Sequence, residues 1–306
     1  MKEYVISEKE SGLSLMKFAS RILSGAPAGL LHKFLRNKNI ELNGRKANGK
    51  EILTSGDHVS FFLSDETFDS FHEEKKRVES PKGSNGAGSL DPDAILYEDE
   101  DYLFYNKPAG LRSQSDDSGR ISLNDMLLAY TGCEGVFRPS ICNRLDTNTS
   151  GIVMCGKSVS GLKKLNQAIR DHRMDKHYRA IVSGILEEDM HLVAFLDSES
   201  NNNKVLISDK PMKGYKEIIT DVTVIKSGAG LSYAEIGLIT GRKHQIRAHL
   251  SHIGHPVLGD MKYGSRVSLK RLMLHSYRLS LPQEILDGLE IVAPIPRDMR
   301  EVINDI

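Results

Sequence analysis

The order of apolar and polar positions divides this chain into three stretches. Over residues 1–63 it predicts a helix across Ser14–Leu23, a second across Ala28–Asn37, and short strands around Ile40–Leu42 and His58–Phe62. Asn43-Gly44 and Ser55-Gly56-Asp57 are turn signals flanked by alternating apolar residues. Residues 64–92 then lose hydrophobic periodicity, and the run EEKKRVESPKGSNGAGSLDPD predicts a flexible linker. From residue 93 to 306 the pattern alternates strands and helices. Strands are predicted at Ala94–Tyr97, Tyr102–Asn106, Gly151–Cys155, Tyr178–Ser183, Ile218–Ile225, Leu231–Leu238 and Leu272–Leu281. Helices are predicted at Leu123–Tyr130, at Ser158–Arg170 with Ser158 as N-cap, and at Lys243–Ile253. The expected organisation is a small N-terminal α+β domain (1–63), a linker (64–92) and one α+β domain of catalytic size (93–306).

A length of 306 residues agrees with two domains. Hydrophobic residues make up 39 % and no apolar run approaches the roughly 18 residues of a membrane span, so a soluble, cytoplasmic protein is expected. The start, MKEYVISEKE, lacks the layout of a secretory signal. Cys133, Cys142 and Cys155 are odd in number and lack CxxC spacing, which excludes a disulfide framework or a zinc ribbon. Basic and acidic residues both total 41, so any affinity for a polyanion must come from a local patch. One such patch exists: Lys33, Arg36, Lys38, Arg45, Lys46 and Lys50 face a single acid, Glu41. Alone, it reads equally well as a solvated helix face and a polar hairpin.

Three segments could carry chemistry. The first, Asn143-Arg-Leu-Asp-Thr-Asn-Thr-Ser-Gly151, sets Arg144, Asp146, Asn148, Thr149 and Ser150 between two apolar stretches, where polar groups must be satisfied or functional. It begins like a calcium loop, but Lys157 stands where a bidentate Glu is required. A tight turn capped by Asp146 is the plain alternative. The second segment, Gly241-Arg-Lys-His-Gln-Ile-Arg-Ala-His-Leu250, opens a helix with Arg and His and suits phosphate or a buried carboxylate. Of His244, His249, His252 and His255 only His249 and His252 share a helical face, and no carboxylate stands among them in the helix, so no metal site is expected. The third is Asp175-Lys-His-Tyr-Arg-Ala-Ile-Val-Ser-Gly184, with Tyr178 where a polar edge meets a strand. Ser160 and Lys163 mimic a Ser/Lys pair without its companion motifs. There is no GxSxG, Walker loop or GxGxxG after a strand.

Taken in order, these segments resemble RluA-type pseudouridine synthases, with their H-R-L-D-x-x-T-S-G loop, Y-[RK]-A strand and G-R-x-H-Q-I-R helix. Further likeness lies in Ile95–Asp99, Asn106–Gly110, Gly259-Asp260 with Tyr263-Gly264, Leu274-His275 and Ala293–Pro296, so it spans nearly all of 93–300. One departure is Asn143, where the family usually has His. Residues 1–63 resemble the αL RNA-binding domain of a ribosomal small-subunit protein, through Lys33–Lys50 and the Ile40–Gly44 hairpin. The resemblance implies a mixed, largely antiparallel catalytic sheet and an isomerase that converts uridine to pseudouridine in RNA. Ribosomal RNA of the large subunit is the favoured substrate and transfer RNA a possible one, with no DNA, membrane, metal or cofactor involved and a monomer as the default state.

By that resemblance Asp146 is the catalytic carboxylate, either as a nucleophile at the sugar carbon or as the base that starts elimination across the sugar. Arg242 would pair with Asp146, and Tyr178 would stack on the base and help remove a proton from carbon. Arg144, Thr149, Leu274, Gln245 and Arg247 would contact substrate, and Lys33, Arg36, Lys38, Arg45 and Lys46 would hold phosphates. The target uridine would have to be extruded from its stack. Two other classes compete: an RNA-binding factor with a decayed enzyme domain, which predicts loss of Asp146, Tyr178 and Arg242, and a glycosidase-like enzyme, which needs a second carboxylate beside Asp146.

Overall fold

The computed structural model describes residues 1–72, 88–116, 119–132, 136–197 and 204–306. Its N-terminal part comprises β1 (Lys2–Val5), α1 (Leu15–Ile22), α2 (Ala28–Arg36), β2 (Ile40–Leu42), β3 (Arg45–Lys46), β4 (His58–Phe61) and α3 (Asp65–Phe71). The strands form one antiparallel sheet in the order β1-β4-β2-β3. Ser14 caps α1 by accepting from Lys17 N, and the helix buries Leu15, Phe18, Ala19 and Ile22, the stripe that helical spacing places on one face.

Helix α3 corrects the expected boundary at residue 63. Ser64 caps it, Phe68 is buried in the N-terminal core, and the His72 ring bonds Ile22 O at 2.7 Å, so the small domain continues through residue 72. Its seven residues carry only Phe68 and Phe71 as apolar anchors, too few to show a helical period in sequence. The stretch read as a flexible linker lies largely at 73–87, outside the described residues. Leu90 already belongs to the main core, so the second domain begins slightly before residue 93.

The second part comprises β5 (Ile95–Glu98), β6 (Tyr102–Lys107), α4 (Leu123–Thr131), β7 (Ser140–Ile141), β8 (Ser150–Gly156), α5 (Val159–Arg170), β9 (Asp175–Ser183) and β10 (Met190–Asp197). It continues with β11 (Leu206–Ser208), β12 (Lys216–Gly228), β13 (Leu231–Leu238), α6 (Gln245–His252), β14 (Leu274–Ser280), β15 (Glu290–Val292) and α7 (Arg297–Asp305). The main path of the sheet runs β11-β10-β12-β13-β9-β14-β8-β6-β5, with β15 on β14 and β7 on β8. Among the described residues β8 and β14 form the one parallel pair, which makes the class α+β with a largely antiparallel sheet. Ser158 caps α5 by accepting from Gly161 N.

Strand β8 is buried throughout because both of its faces are covered. Val153 and Cys155 pack with Leu123 and Leu127 of α4 and with Ile246 and Leu250 of α6. Ile152 and Met154 pack on the other side with Leu165 and Ala168 of α5. Further along that second face, Ile181 and Tyr233 pack with Met299 of α7. The sheet is therefore sandwiched, and its polar groups cluster where loops cross its first face.

The two parts also touch. Glu10, 3 % exposed, accepts Val136 N at 2.7 Å; Arg21 donates to Val136 O at 3.2 Å and Lys163 to Gly12 O. Leu13, Phe137 and Val159 close the seam with apolar contact. A buried, hydrogen-bonded seam opposes the independent domain motion that the linker composition suggests. Among the described residues no helix is long and apolar enough to cross a membrane.

Candidate active site

The loop between β7 and β8 is fixed from every side by the protein's own groups. Asn143 bridges the start of β8, donating to Ile152 O at 3.2 Å and accepting Met154 N at 2.8 Å. Ser113 Oγ donates to Leu145 O at 2.8 Å and accepts Leu145 N at 3.0 Å. Thr147 O accepts Gly110 N at 2.8 Å and the Lys107 ammonium at 3.1 Å, while Thr149 N returns to Asp146 O at 3.0 Å. The loop ends at Gly151, which has φ +113° and where a Cβ would lie 2.1 Å from Ser276 O. Only glycine lets β8 and β14 come this close.

Lys107 is fully buried, and it also donates to Pro108 O at 3.0 Å and Leu111 O at 2.7 Å. Burial pushes its ammonium down to about 7, with Arg271 adding to the shift and Asp146 opposing it. Below the loop, Ser150 Oγ accepts from Arg271 at 2.7 Å and bonds the His275 ring at 2.7 Å. These groups hold the loop backbone, so the Asp146 side chain is the part that faces the cleft.

Here the structure corrects the expected partner. Arg247, not Arg242, pairs with Asp146: its Nη1 donates to Asp146 Oδ2 at 2.7 Å. The same guanidinium donates through Nε to Asp260 Oδ2 at 2.6 Å and through Nη2 to Asp260 Oδ1 at 2.9 Å. Its Cζ lies 4.9 Å from the Tyr263 ring centroid. The reason is local. Helix α6 starts at Gln245, so Arg247 stands in its first turn and is buried, whereas Arg242 precedes the helix and is exposed. Asp260 is 1 % exposed and needs the two-pronged guanidinium. Burial works against the Arg247 charge, but Asp260 and Asp146 together raise its pKa above the ordinary value.

The cleft around Asp146 has about 390 Å³ of space open to solvent and is lined by both Arg144 and Arg242, by Thr149, Tyr178 and Leu274, and by His244, Gln245 and Arg247. Arg144 and Arg242 are exposed and have no ion-pair partner among the described residues. Tyr178 is 8 % exposed; burial pushes its hydroxyl up to about 12, against a hydrogen bond from Ser276 and with Asp146 adding to the rise. Leu274 is buried beside it, opposite Ala180 in the β9–β14 ladder. Gln245 lines the cleft but has no hydrogen-bonding capacity left for a substrate. Its Oε1 accepts Thr240 Oγ1 at 2.9 Å and Arg242 N at 3.0 Å, and its Nε2 donates to Ile219 O at 3.0 Å and Thr220 Oγ1 at 3.1 Å. Gln245 therefore shapes the turn into α6 rather than reading a substrate.

Three groups at the site were not singled out as functional in the sequence. Asp260, noted in sequence as part of the family likeness, caps the 3-10 turn Met261–Tyr263 while anchoring Arg247. Tyr263 bonds the His244 ring at 2.9 Å through its hydroxyl. His244 sits at φ +54°, with Nε2 3.7 Å from Asp146 Oδ1, and burial pulls its imidazole well below the ordinary value against the opposing charge of Asp146. Of the four histidines, His249 instead bonds Thr220 and His252 bonds Asp209. Among the described residues no three His, Cys, Asp or Glu side chains converge as metal ligands would. Lys33, Arg36, Lys38, Arg45 and Lys46 are all exposed, on the end of α2 and on the β2–β3 hairpin.

A carboxylate beside a buried arginine, over a tyrosine and a leucine, is joined by likeness to known proteins. A family model described as RNA pseudouridylate synthase matches residues 101–252. The ribosomal large subunit pseudouridine synthase D of Borreliella burgdorferi is 32 % identical over 295 residues, covering 92 % of this chain and 85 % of that protein. The ribosomal large subunit pseudouridine synthase C of Rickettsia conorii is 29 % identical, covering 89 % of each chain. In fold, the chain is similar to human RNA pseudouridylate synthase domain containing 4, with a TM-score of 0.58 at 22 % identity, covering 69 % of this chain and 92 % of that one. With a carboxylate loop, a tyrosine strand and an arginine helix meeting in one cleft, and with these relatives, the chain belongs to the RluA-type RNA pseudouridine synthases.

Proposed function

We propose that this enzyme isomerises specific uridines of large-subunit ribosomal RNA, with Asp146 as the catalytic carboxylate. The observation that carries the reading is the Asp146–Arg247 contact of 2.7 Å at the rim of a cleft floored by Tyr178 and Leu274. The reaction breaks the bond between the sugar C1′ and N1 of uracil, turns the base, and forms a bond from C1′ to C5. C5 loses its proton and N1 gains one, so no atom is added and no redox partner is needed. Asp146 serves either as nucleophile at C1′ or as the base that removes the proton from C2′, and both routes need an ionised carboxylate at the sugar.

Arg247 aims Asp146 and compensates its charge, since one fork spans it and the buried Asp260. Tyr178 and Leu274 give the uracil an apolar bed on which to turn. Burial pushes the Tyr178 hydroxyl up to about 12, and the residue offers both its ring to the base and its hydroxyl near the carbon that loses its proton. Arg144 and Arg242, exposed at the cleft and without ion-pair partners among the described residues, suit the phosphates flanking an extruded nucleotide. The N-terminal cations Lys33, Arg36, Lys38, Arg45 and Lys46 suit more distant phosphates, and the Glu10–Val136 seam holds both contacts in one monomer at a set spacing.

The test is pseudouridine mapping by carbodiimide modification and primer extension, in cells carrying the parent chain, Asp146→Ala, or no copy. Stops in large-subunit ribosomal RNA that vanish in both altered strains support the reading. Stops that vanish only in transfer RNA move the substrate, and identical maps in all three strains refute the catalytic role.

A further inference from the structure

His244 is the one residue in the α6 turn held in a left-handed backbone, at φ +54° and ψ +16°. Histidine enters this region more readily than most side chains, so what marks this one is where its ring is held. What aims it is Tyr263. The Tyr263 hydroxyl oxygen accepts Val205 N at 3.1 Å and lies 2.9 Å from His244 Nδ1. That oxygen can give its single proton to Nδ1. In that arrangement the imidazole proton sits on Nε2. Nε2 points at Asp146 Oδ1, 3.7 Å away, while Arg247 holds the other oxygen, Oδ2.

We propose that His244 is a positioning residue whose neutral imidazole, fixed in the Nε2–H tautomer by Tyr263, is the second donor to the Asp146 carboxylate. A 3.7 Å separation is too long for a hydrogen bond, and a small turn of the carboxylate as substrate enters closes it. With Arg247 on one oxygen and His244 on the other, the plane of the carboxylate is set against the sugar instead of swinging about one contact. A cation here would add a further positive group to Arg247, Lys243 and Lys262, which already crowd the imidazole. The Lys204 ammonium lies 5.3 Å from the centroid of the Tyr263 ring. Only Asp146 draws the imidazole towards its charged form, and burial outweighs that pull, so the donor stays neutral across the working range.

The inference rests on Asp146 being the catalytic carboxylate, and the test separates the two. The full chain is assayed on a transcript of the mapped ribosomal RNA carrying uridine tritiated at C5, so that each turnover releases tritium. For His244→Phe, kcat is expected to fall about 10- to 100-fold with KM within threefold, the loss of one oriented hydrogen bond to a charged group. The acid limb of the rate profile is expected to move to higher pH, because a donor to the ionised carboxylate has gone. His244→Gln, which can place an N–H at the same point, is expected to restore most of the rate and return the limb. A His244→Phe enzyme within threefold of the parent, an unmoved limb, or a folded His244→Gln no better than His244→Phe would each overturn the proposal. If His244→Phe does not fold, Tyr263→Phe decides: an upward-moved limb supports the tautomer link, and an unmoved one overturns it. Asp146→Ala as fast as the parent defeats the catalytic reading itself, whereas an inactive Asp146→Ala beside a fully active His244→Phe defeats only this inference.

Discussion

Replacing Arg247 by Lys tests the arrangement at its most loaded point. The charge is kept and the reach is similar, but a planar fork of donors becomes one ammonium. In the native site the guanidinium satisfies Asp146 through Nη1 at 2.7 Å and Asp260 through Nε at 2.6 Å and Nη2 at 2.9 Å. A lysine can replace about one of these contacts well. Each charge-assisted hydrogen bond contributes about 1.5–3 kcal/mol, so losing two removes roughly 3–6 kcal/mol before the ammonium's remaining attraction to both carboxylates is credited, and about 2–4 kcal/mol net. The ammonium should settle on Asp260, which at 1 % exposure has no water to replace its partner, leaving Asp146 unaimed. Only the lost Asp146 contact, about 1.5–3 kcal/mol, bears on the chemical step, so at about 1.4 kcal/mol per tenfold kcat is expected to fall about 10- to 150-fold, with KM changed little on the proposal that Arg144, Arg242 and the N-terminal cations share the binding of substrate. Tritium release in single turnover gives the rate, and urea unfolding reports stability on the same protein. An Arg247→Lys enzyme that turns over within threefold of the parent refutes the argument that the fork, rather than the charge, is what the site uses. Arg242→Lys is the control, since an exposed phosphate contact tolerates the exchange.

Three further outcomes follow from the same structure. Lys107 titrates at about 7 when folded, against an ordinary 10.5, so between these values the unfolded chain binds more protons and stability rises with pH. Its contribution grows by about 2 kcal/mol from about pH 7 to about pH 9 and is lost as pH falls through 7; urea titrations of the parent against Lys107→Met should diverge in that window and run parallel below it. Glu10→Gln weakens the seam at Val136, at a cost of about 1–2 kcal/mol for a buried charge-assisted bond, and faster hydrogen exchange at the Val136 amide is the readout. Changing Lys33, Arg36, Arg45 and Lys46 together to Ala should raise KM, leave kcat intact, and make the slope of log affinity against log salt shallower by about 0.7–0.9 for each phosphate no longer neutralised; an unchanged slope removes these residues from the RNA path.

What the sequence made legible was what a short window contains. Asp146 stood out because polar residues between two apolar runs need a reason, and most strands and helices of the sheet carried their own periodicity and caps, as Ser158 does for α5. Helix α3 and strands β10 and β11 escaped for the opposite reason. In β10 burial alternates, but Leu192–Leu196 is apolar on both faces and shows no period of two in sequence, and in α3 two phenylalanines do the anchoring. Pairings across the chain were harder still. Two arginines flank the α6 turn, five residues apart, and nothing in composition says which faces the carboxylate.

The answer depends on where the helix begins, just after His244, which has a left-handed backbone and its ring bonded to Tyr263 nineteen residues on. It depends also on Asp260, which caps a turn of chain. That turn is structural and still shapes the cleft, because a carboxylate with no access to water fixes the arginine, and the arginine then fixes Asp146. The loop before β8 brings Asp146, while the residues that hold it arrive from α6 and from the turn before β14, so the cleft is set by the packing of the sheet rather than by any one of its motifs.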